Sequence, residues 1–336
     1  MIRVGLIGFG YWGPNLARNI SETAGLSLTA VVEARQDRLE LAGRRHPGIA
    51  RLSDVSELFV RNDIDAVVIA TPTSTHVPLA RTALESGRHV LVEKPLARSA
   101  AEADELGELA ARSGLCLMVD HTFVYTGAIR KIRSILDAGE LGPLLYLDSV
   151  RVNLGLFQHD SNVVWDLAPH DLAIVDYLIA ERPTGVSASG GTPTGYHHES
   201  IAYITLHFAS GFLAHLHVNW LAPVKIRRML IGGLEKMLAY DDMEPSEKVR
   251  VYDKGVDFDP TDDEKRRQLL VSYRSGDMYA PRLERDEALQ LVTREFAEAI
   301  CAKRPPLTDA ACGARVVRLL EAAEESLRGD GRRVRV

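Results

Sequence analysis

The chain opens Met1-Ile2-Arg3-Val4-Gly5-Leu6-Ile7-Gly8-Phe9-Gly10-Tyr11-Trp12-Gly13-Pro14-Asn15. Residues 2–7 are an apolar run of strand length, and Gly8, Gly10 and Gly13 then spell G-x-G-x-x-G directly before a helical pattern that starts at Pro14. Strand, glycine turn and helix in this order predict a dinucleotide-binding unit. The first glycine permits a tight turn, the second lets backbone approach a pyrophosphate, and the third lets the helix pack close to the strand. The helix N-terminus offers the positive end of its dipole to phosphate. Tyr11 and Trp12 sit inside this turn and are candidate cofactor contacts. Glu33 closes the second apolar run 20 residues after Gly13, the spacing at which an acid meets the adenosine ribose hydroxyls. Its carboxylate would repel a 2′-phosphate, so NAD is expected in preference to NADP. Arg35 and Arg38 are the groups that would reach such a phosphate.

Working outward, residues 28–32, 66–70, 89–92 and 115–119 are further apolar runs without polar alternation, as suits strands buried on both faces of a parallel sheet. Amphipathic segments of helical length separate them at 14–20, 37–45, 75–86 and 99–112. This β-α-β-α order predicts a doubly wound Rossmann sheet over residues 1–120. The pattern then changes. Helices are expected at 126–138 and 169–180, and strands at 144–153, 201–208, 212–220, 225–231, 236–240 and 248–252, the second and third of these joined as a hairpin across Ala-Ser-Gly. Closing helices are expected at 284–302 and 310–327. Residues 121–336 therefore read as a C-terminal α+β domain on a mainly antiparallel open sheet. The polar, poorly periodic stretch 253–282 reads as a long excursion or lid.

Composition narrows the function classes. The 336 residues are 46% hydrophobic and 26% charged, with 40 basic against 46 acidic side chains, a formal charge of −6. No basic block offers a nucleic-acid groove, so a small molecule is the expected partner. Three scattered cysteines suit neither a disulfide framework nor a zinc knuckle. The start shows no signal-peptide architecture, and no apolar run approaches the roughly 20 residues of a membrane helix. A soluble protein of the reducing cytoplasm is the expectation.

Ligands of open α/β sheets bind beyond the carboxyl ends of the strands, and two segments are expected there. Ala70-Thr71-Pro72-Thr73-Ser74-Thr75-His76 follows the apolar run 66–70, and Glu93-Lys94-Pro95 follows the run 89–92. Pro95 biases Lys94 towards extended backbone, away from a helix surface. A third cluster is Trp165-Asp166-Leu167-Ala168-Pro169-His170-Asp171. Asp166 and His170 are spaced i, i+4 and would share one side of a helical turn, although Pro169 fits only a first turn or a kink. A carboxylate beside an imidazole can orient a general base; a helix cap followed by a surface histidine is the alternative. His121 is expected at the strand ends as a further site candidate. Tyr125, Arg130 and Asn153 are candidates for binding hydroxyls or phosphate. His207, His215 and His217 recur at period two and should share a sheet face. They lack the carboxylate or cysteine partners of a metal site. No metal is expected.

Together GFGYWG at 8–13, ATPTSTH at 70–76, EKP at 93–95, the Asp166-x-x-x-His170 pair and Pro306-Leu307-Thr308-Asp309 resemble the Gfo/Idh/MocA oxidoreductases, over essentially the whole chain. The resemblance implies that Lys94 and His170 touch the reacting hydroxyl and that Asp166 supports them. It also implies cofactor contacts from Thr71, Pro72, Thr73, His76, Glu93 and Lys94, and substrate contacts from Lys94, His121, Tyr125, Asn153, Asp166 and His170. The open sheet of the second half would then floor the substrate site and form a homodimer or homotetramer interface, with Ile201, Tyr203, Leu213 and Val218 supplying an apolar patch. YWGPNLARN and WDLAPHDL look most like members acting on free or nucleotide-linked hexoses, including UDP-sugar 3-dehydrogenases. The approach Asn153-Leu154-Gly155-Leu156-Phe157-Gln158-His159-Asp160 departs from the family's glycine-rich pattern. The expected function is thus hydride transfer between NAD and a secondary hydroxyl or ketone of a sugar. The alternatives are a glycosidase working through transient C3 oxidation and a non-catalytic sugar-sensing regulator.

Overall fold

The computed structural model describes residues 1–155, 161–253, 255–257, 272–274 and 276–336, the two three-residue stretches by backbone alone. They form two compact units, one of residues 1–126 with 286–321 and the other of 127–285 with 322–336.

The first unit is built on six parallel strands, β1 (Ile2–Ile7), β2 (Leu26–Val32), β3 (Ala50–Leu52), β4 (Ala66–Ile69), β5 (His89–Glu93) and β6 (Leu117–Asp120). Their order is β3-β2-β1-β4-β5-β6, the doubly wound Rossmann arrangement, which reverses direction between β1 and β4. All of β4 and β6 is buried, which accounts for runs with no polar alternation. Helices α1 (Gly13–Glu22), α2 (Gln36–Arg45), α3 (Val55–Phe59), α4 (His76–Glu85) and α5 (Ala100–Ser113) connect the strands. Local chemistry sets their ends. Ser99 accepts the Glu102 N–H at the start of α5, and Gly114 terminates it at φ +65°, a conformation glycine adopts without strain.

The division of the chain differs from a single boundary at residue 120. Helix α6 (Gly127–Asp137) begins the second unit, and residues 286–321 return to the first. The reason is the exposed edge that β6 would otherwise leave. The Val119 N–H donates to the Thr308 carbonyl at 2.8 Å, and the Thr308 hydroxyl donates to the Val119 carbonyl at 2.6 Å. Farther along, Glu287 accepts from Arg18 and Asn19 of α1.

The second unit carries a nine-stranded sheet among the described residues. Its strands are β7 (Leu144–Leu154), β8 (Gly185–Gly191), β9 (Ile201–His207), β10 (Leu213–Asn219), β11 (Leu221–Gly233), β12 (Met237–Asp241), β13 (Val249–Tyr252), β16 (Met278–Tyr279) and β17 (Val334–Arg335). Between β13 and β16 in the chain, β14 (Gly255–Asp257) pairs with β15 (Ser272–Arg274) as a separate ribbon. The stretch expected as a lid therefore contributes this ribbon and the edge strand β16; the rest of it lies outside the described residues. Pairing is antiparallel except between β7 and β10. Helix α7 (Val163–Leu178) packs across β10, β7 and β9. Helices α8 (Ala288–Ala302) and α9 (Ala310–Arg328) precede β17, and α9 passes from the first unit to the second after Glu321.

Two expectations are corrected here. Helix α7 begins at Val163, not at Pro169, because the Asn162 side chain accepts the N–H groups of Val164 and Trp165 and starts the helix earlier. Pro169 is then an interior residue that forgoes one helical hydrogen bond. Val218 is fully buried on the helix-covered side of the sheet, whereas Tyr203 and Leu213 are 40% and 44% exposed on the other, since side chains alternate across a strand. His207, His215 and His217 do share that open face by register. The Tyr203 ring stacks on His217 with centroids 4.5 Å apart. Among the described residues no helix is long and apolar enough to cross a membrane.

Candidate active site

The turn after β1 has the shape the glycines predict. Gly8 sits at φ +96°, and a Cβ there would lie 2.4 Å from the Ala70 carbonyl oxygen; a Cβ on Gly13 would lie 2.4 Å from that of Gly8. Gly10 has nothing within 4 Å, so its backbone borders open space in front of the α1 N-terminus. That open cradle fits a pyrophosphate. Glu33, directly after β2, turns its carboxylate to this turn: Oε2 accepts the Phe9 N–H at 2.7 Å and Oε1 the Arg35 N–H at 3.0 Å. Each oxygen keeps a lone pair for a ribose hydroxyl. The Arg35 guanidinium is held by Asp37 at 3.0 Å, which draws it from any 2′-phosphate. Calorimetry is expected to show NAD binding at least tenfold more tightly than NADP, a preference that Glu33→Ala erodes; tighter NADP binding by the parent would contradict this.

At the carboxyl ends of β4, β5 and β6 the expected residues separate into two kinds. Thr71, Pro72 and Thr73 form a tight corner in which the Thr71 and Thr75 hydroxyls lie 2.7 Å apart. The His76 ring is not presented to a ligand. It is fully buried, with Nδ1 2.8 Å from the Pro95 carbonyl and Nε2 2.9 Å from that of Thr71, and burial lowers its pKa. His76 thus pins the corner after β4 to the residue following Lys94. Tyr125 is also a core group. Its hydroxyl lies 3.0 Å from that of Thr308, and burial pushes the phenol pKa up. His121 is 1% exposed. The Glu93 carboxyl turns inward to Asp120, its register partner on β6, and burial followed by the Asp120 charge raises its pKa well above the carboxylate range. Sequence reasoning passed over Asp120, although its place as the last residue of an edge strand marked it.

In the second unit, α7 carries Asp166 and His170 one turn apart. The Trp220 indole N–H donates to Asp166 Oδ2 at 2.9 Å, fixing the carboxylate from a strand connection 54 residues away. His170 is half-buried. Directly after it, Asp171 makes a two-pronged pair with Arg151 of β7, at 2.8 and 2.9 Å, both side chains 4% exposed. Asn153, two residues further along β7, is half-buried. The roles of Trp220 and of the Arg151–Asp171 pair escaped the sequence, since nothing local links them to the helix. Residues 156–160, with the variant approach and His159 and Asp160, lie outside the described residues.

Residues 2–121 match the family model described as the oxidoreductase family with an NAD-binding Rossmann fold, and residues 129–239 match the GFO/IDH/MocA C-terminal domain. The chain is 30% identical to the UDP-N-acetylglucosamine 3-dehydrogenase of Acidithiobacillus ferrooxidans, across 94% of each protein. A solved structure of that dehydrogenase superposes with TM-score 0.80 at 26% identity, covering 98% of both chains. The dTDP-3,4-didehydro-2,6-dideoxy-alpha-D-glucose 3-reductase of Streptomyces violaceoruber is 36% identical over 46% of this chain and 47% of its own. With the glycine cradle, Glu33 and both domain models in place, the chain belongs to the GFO/IDH/MocA family and is an NAD-binding oxidoreductase.

Proposed function

We propose that this enzyme transfers a hydride between NAD and a secondary hydroxyl, or the corresponding ketone, of a hexose, at C3 of a nucleotide-linked sugar. The observation that carries the reading is the build of α7, where Asp166 is held by Trp220 and followed one turn later by His170. Full-length likeness to a nucleotide-sugar 3-dehydrogenase supports the substrate class. The glycine turn and Glu33 would hold NAD, which when bound supplies the hydride acceptor. His170 takes the hydroxyl proton as general base, and Asp166 sets its orientation. The Lys94 ammonium stabilises negative charge developing on the oxygen. Ketone reduction runs the same roles backwards.

The test is to follow NADH formation with UDP-N-acetylglucosamine, a dTDP-hexose, free hexoses and inositol, and to locate the new ketone by NMR. Oxidation at C3 of a nucleotide sugar supports the reading; turnover restricted to free polyols would overturn the substrate class. Release of a glycosidic substituent with no net NADH would favour the glycosidase alternative.

We propose that the open face of the nine-stranded sheet joins copies of the chain as a homodimer or homotetramer. The exposed Tyr203 and Leu213, with Tyr203 stacked on His215 and His217, support this. Light scattering at micromolar concentration should give a multiple of 37.0 kDa, and a monomer there would contradict it. Cys116 and Cys301 are in no disulfide, in keeping with a reducing cytoplasm.

A further inference from the structure

We propose that Glu93 and Asp120 share a single proton, so that the pair presents one negative charge, not two, to Lys94 and acts as its positioning group. The two residues are register partners at the carboxyl ends of adjacent parallel strands, where neighbouring backbones run roughly 5 Å apart. Glu93 Oε1 and Asp120 Oδ2 are both buried, and neither has a donor among the described residues. Two carboxylates so placed would each leave an acceptor unsatisfied and would repel one another, whereas one proton between them serves both oxygens. Shared protons between close carboxyl groups are the known outcome of such repulsion.

The surrounding donors decide where the charge rests. Asp120 Oδ1 accepts the Thr122 hydroxyl at 2.6 Å. Among the described residues, Glu93 Oε2 receives the Lys94 backbone N–H alone, at 3.3 Å. Asp120 is thus the carboxylate, and Glu93 is the acid that donates to it. Burial drives both groups towards protonation, Glu93 the more strongly. The other titratable groups around the pair fit this assignment. Lys94 bears on Glu93 as a cation. Tyr125 feels the Asp120 charge while burial keeps it un-ionised. His121 follows Asp120 in the chain, and His76 stands by Lys94 across Pro95.

The consequence for chemistry follows from charge. A doubly ionised pair would hold the Lys94 ammonium more strongly; a single charge holds it in place and leaves it able to respond to charge on a reacting oxygen. This role for the pair rests on the reading of Lys94 given above.

Two measurements test it. Infrared difference spectra of parent against Glu93→Gln, at about pH 8 where ordinary carboxyls are ionised, are expected to show a carboxylic-acid C=O band in the parent that the variant lacks. Absence of that band overturns the proposal. This arm needs no substrate, so failure of the sugar reading leaves it standing. The second arm is the split of kcat against KM. Glu93→Gln keeps one charge, because its amide donates to Asp120 as the acid did. The double variant Glu93→Gln with Asp120→Asn removes the charge that positions Lys94, and its kcat should fall at least about tenfold below that of Glu93→Gln while KM stays within a few-fold. A double variant as fast as Glu93→Gln would overturn the link to Lys94. Unchanged thermal melting of both variants separates this loss from a loss of fold.

Discussion

His170→Asn is expected to lower the single-turnover reduction of bound NAD by about 10² to 10⁴, the usual cost of losing a positioned general base. Lys94→Met should fall in the same range or beyond, because a fixed cation at developing negative charge is among the larger contributions to catalysis. Asp166→Asn should lie between these variants and the parent, since it accepts the Trp220 N–H and orients the imidazole without taking the proton itself. Cofactor affinity is the internal control. The pyrophosphate and ribose contacts come from the glycine turn and Glu33, so NAD should bind all three variants within a few-fold of the parent. Full turnover in either the His170 or the Lys94 variant would remove that residue from the mechanism. A parallel loss of NAD affinity would place it in the cofactor site instead.

The second large effect is on stability. Arg151→Met should destabilise the protein by about 3–5 kcal/mol, the cost of leaving a buried carboxylate without its partner. Arg151 and Asp171 are each 4% exposed and joined by two hydrogen bonds. Paired burial more than offsets the desolvation of the guanidinium and keeps its pKa above the usual value. Equilibrium urea unfolding of parent and variant gives the difference directly. The double variant Arg151→Met with Asp171→Leu should recover most of the loss, because it leaves no charge stranded. A loss under about 1 kcal/mol in the single variant, the range of an exposed pair, would show that the pair is not buried in solution. Since Asp171 is the residue after His170, the same variant should also reduce turnover, and restored stability without restored turnover would mark the pair as positioning the helix.

The sequence by itself determined the parallel sheet, the glycine cradle, Glu33 at the end of β2 and the i, i+4 spacing of Asp166 and His170. These are written in local order. Apolar runs report strands buried on both faces, G-x-G-x-x-G reports a turn that side chains would block, and a helical period reports which residues share a face. Tertiary structure alone decided the rest. The Glu93 side chain turned to Asp120 because adjacent strands ended in register. His76 and Tyr125, polar residues in promising segments, became core groups because carbonyls and a hydroxyl from distant loops met them. Helix α7 began at Asn162 because a cap outweighed the proline signal, and Val218 lay inside because register set the face. Residues 286–321 returned to the first unit because the edge of β6 needed a partner. Each of these depends on groups far apart in the chain, and neither spacing nor composition carries the distance between them.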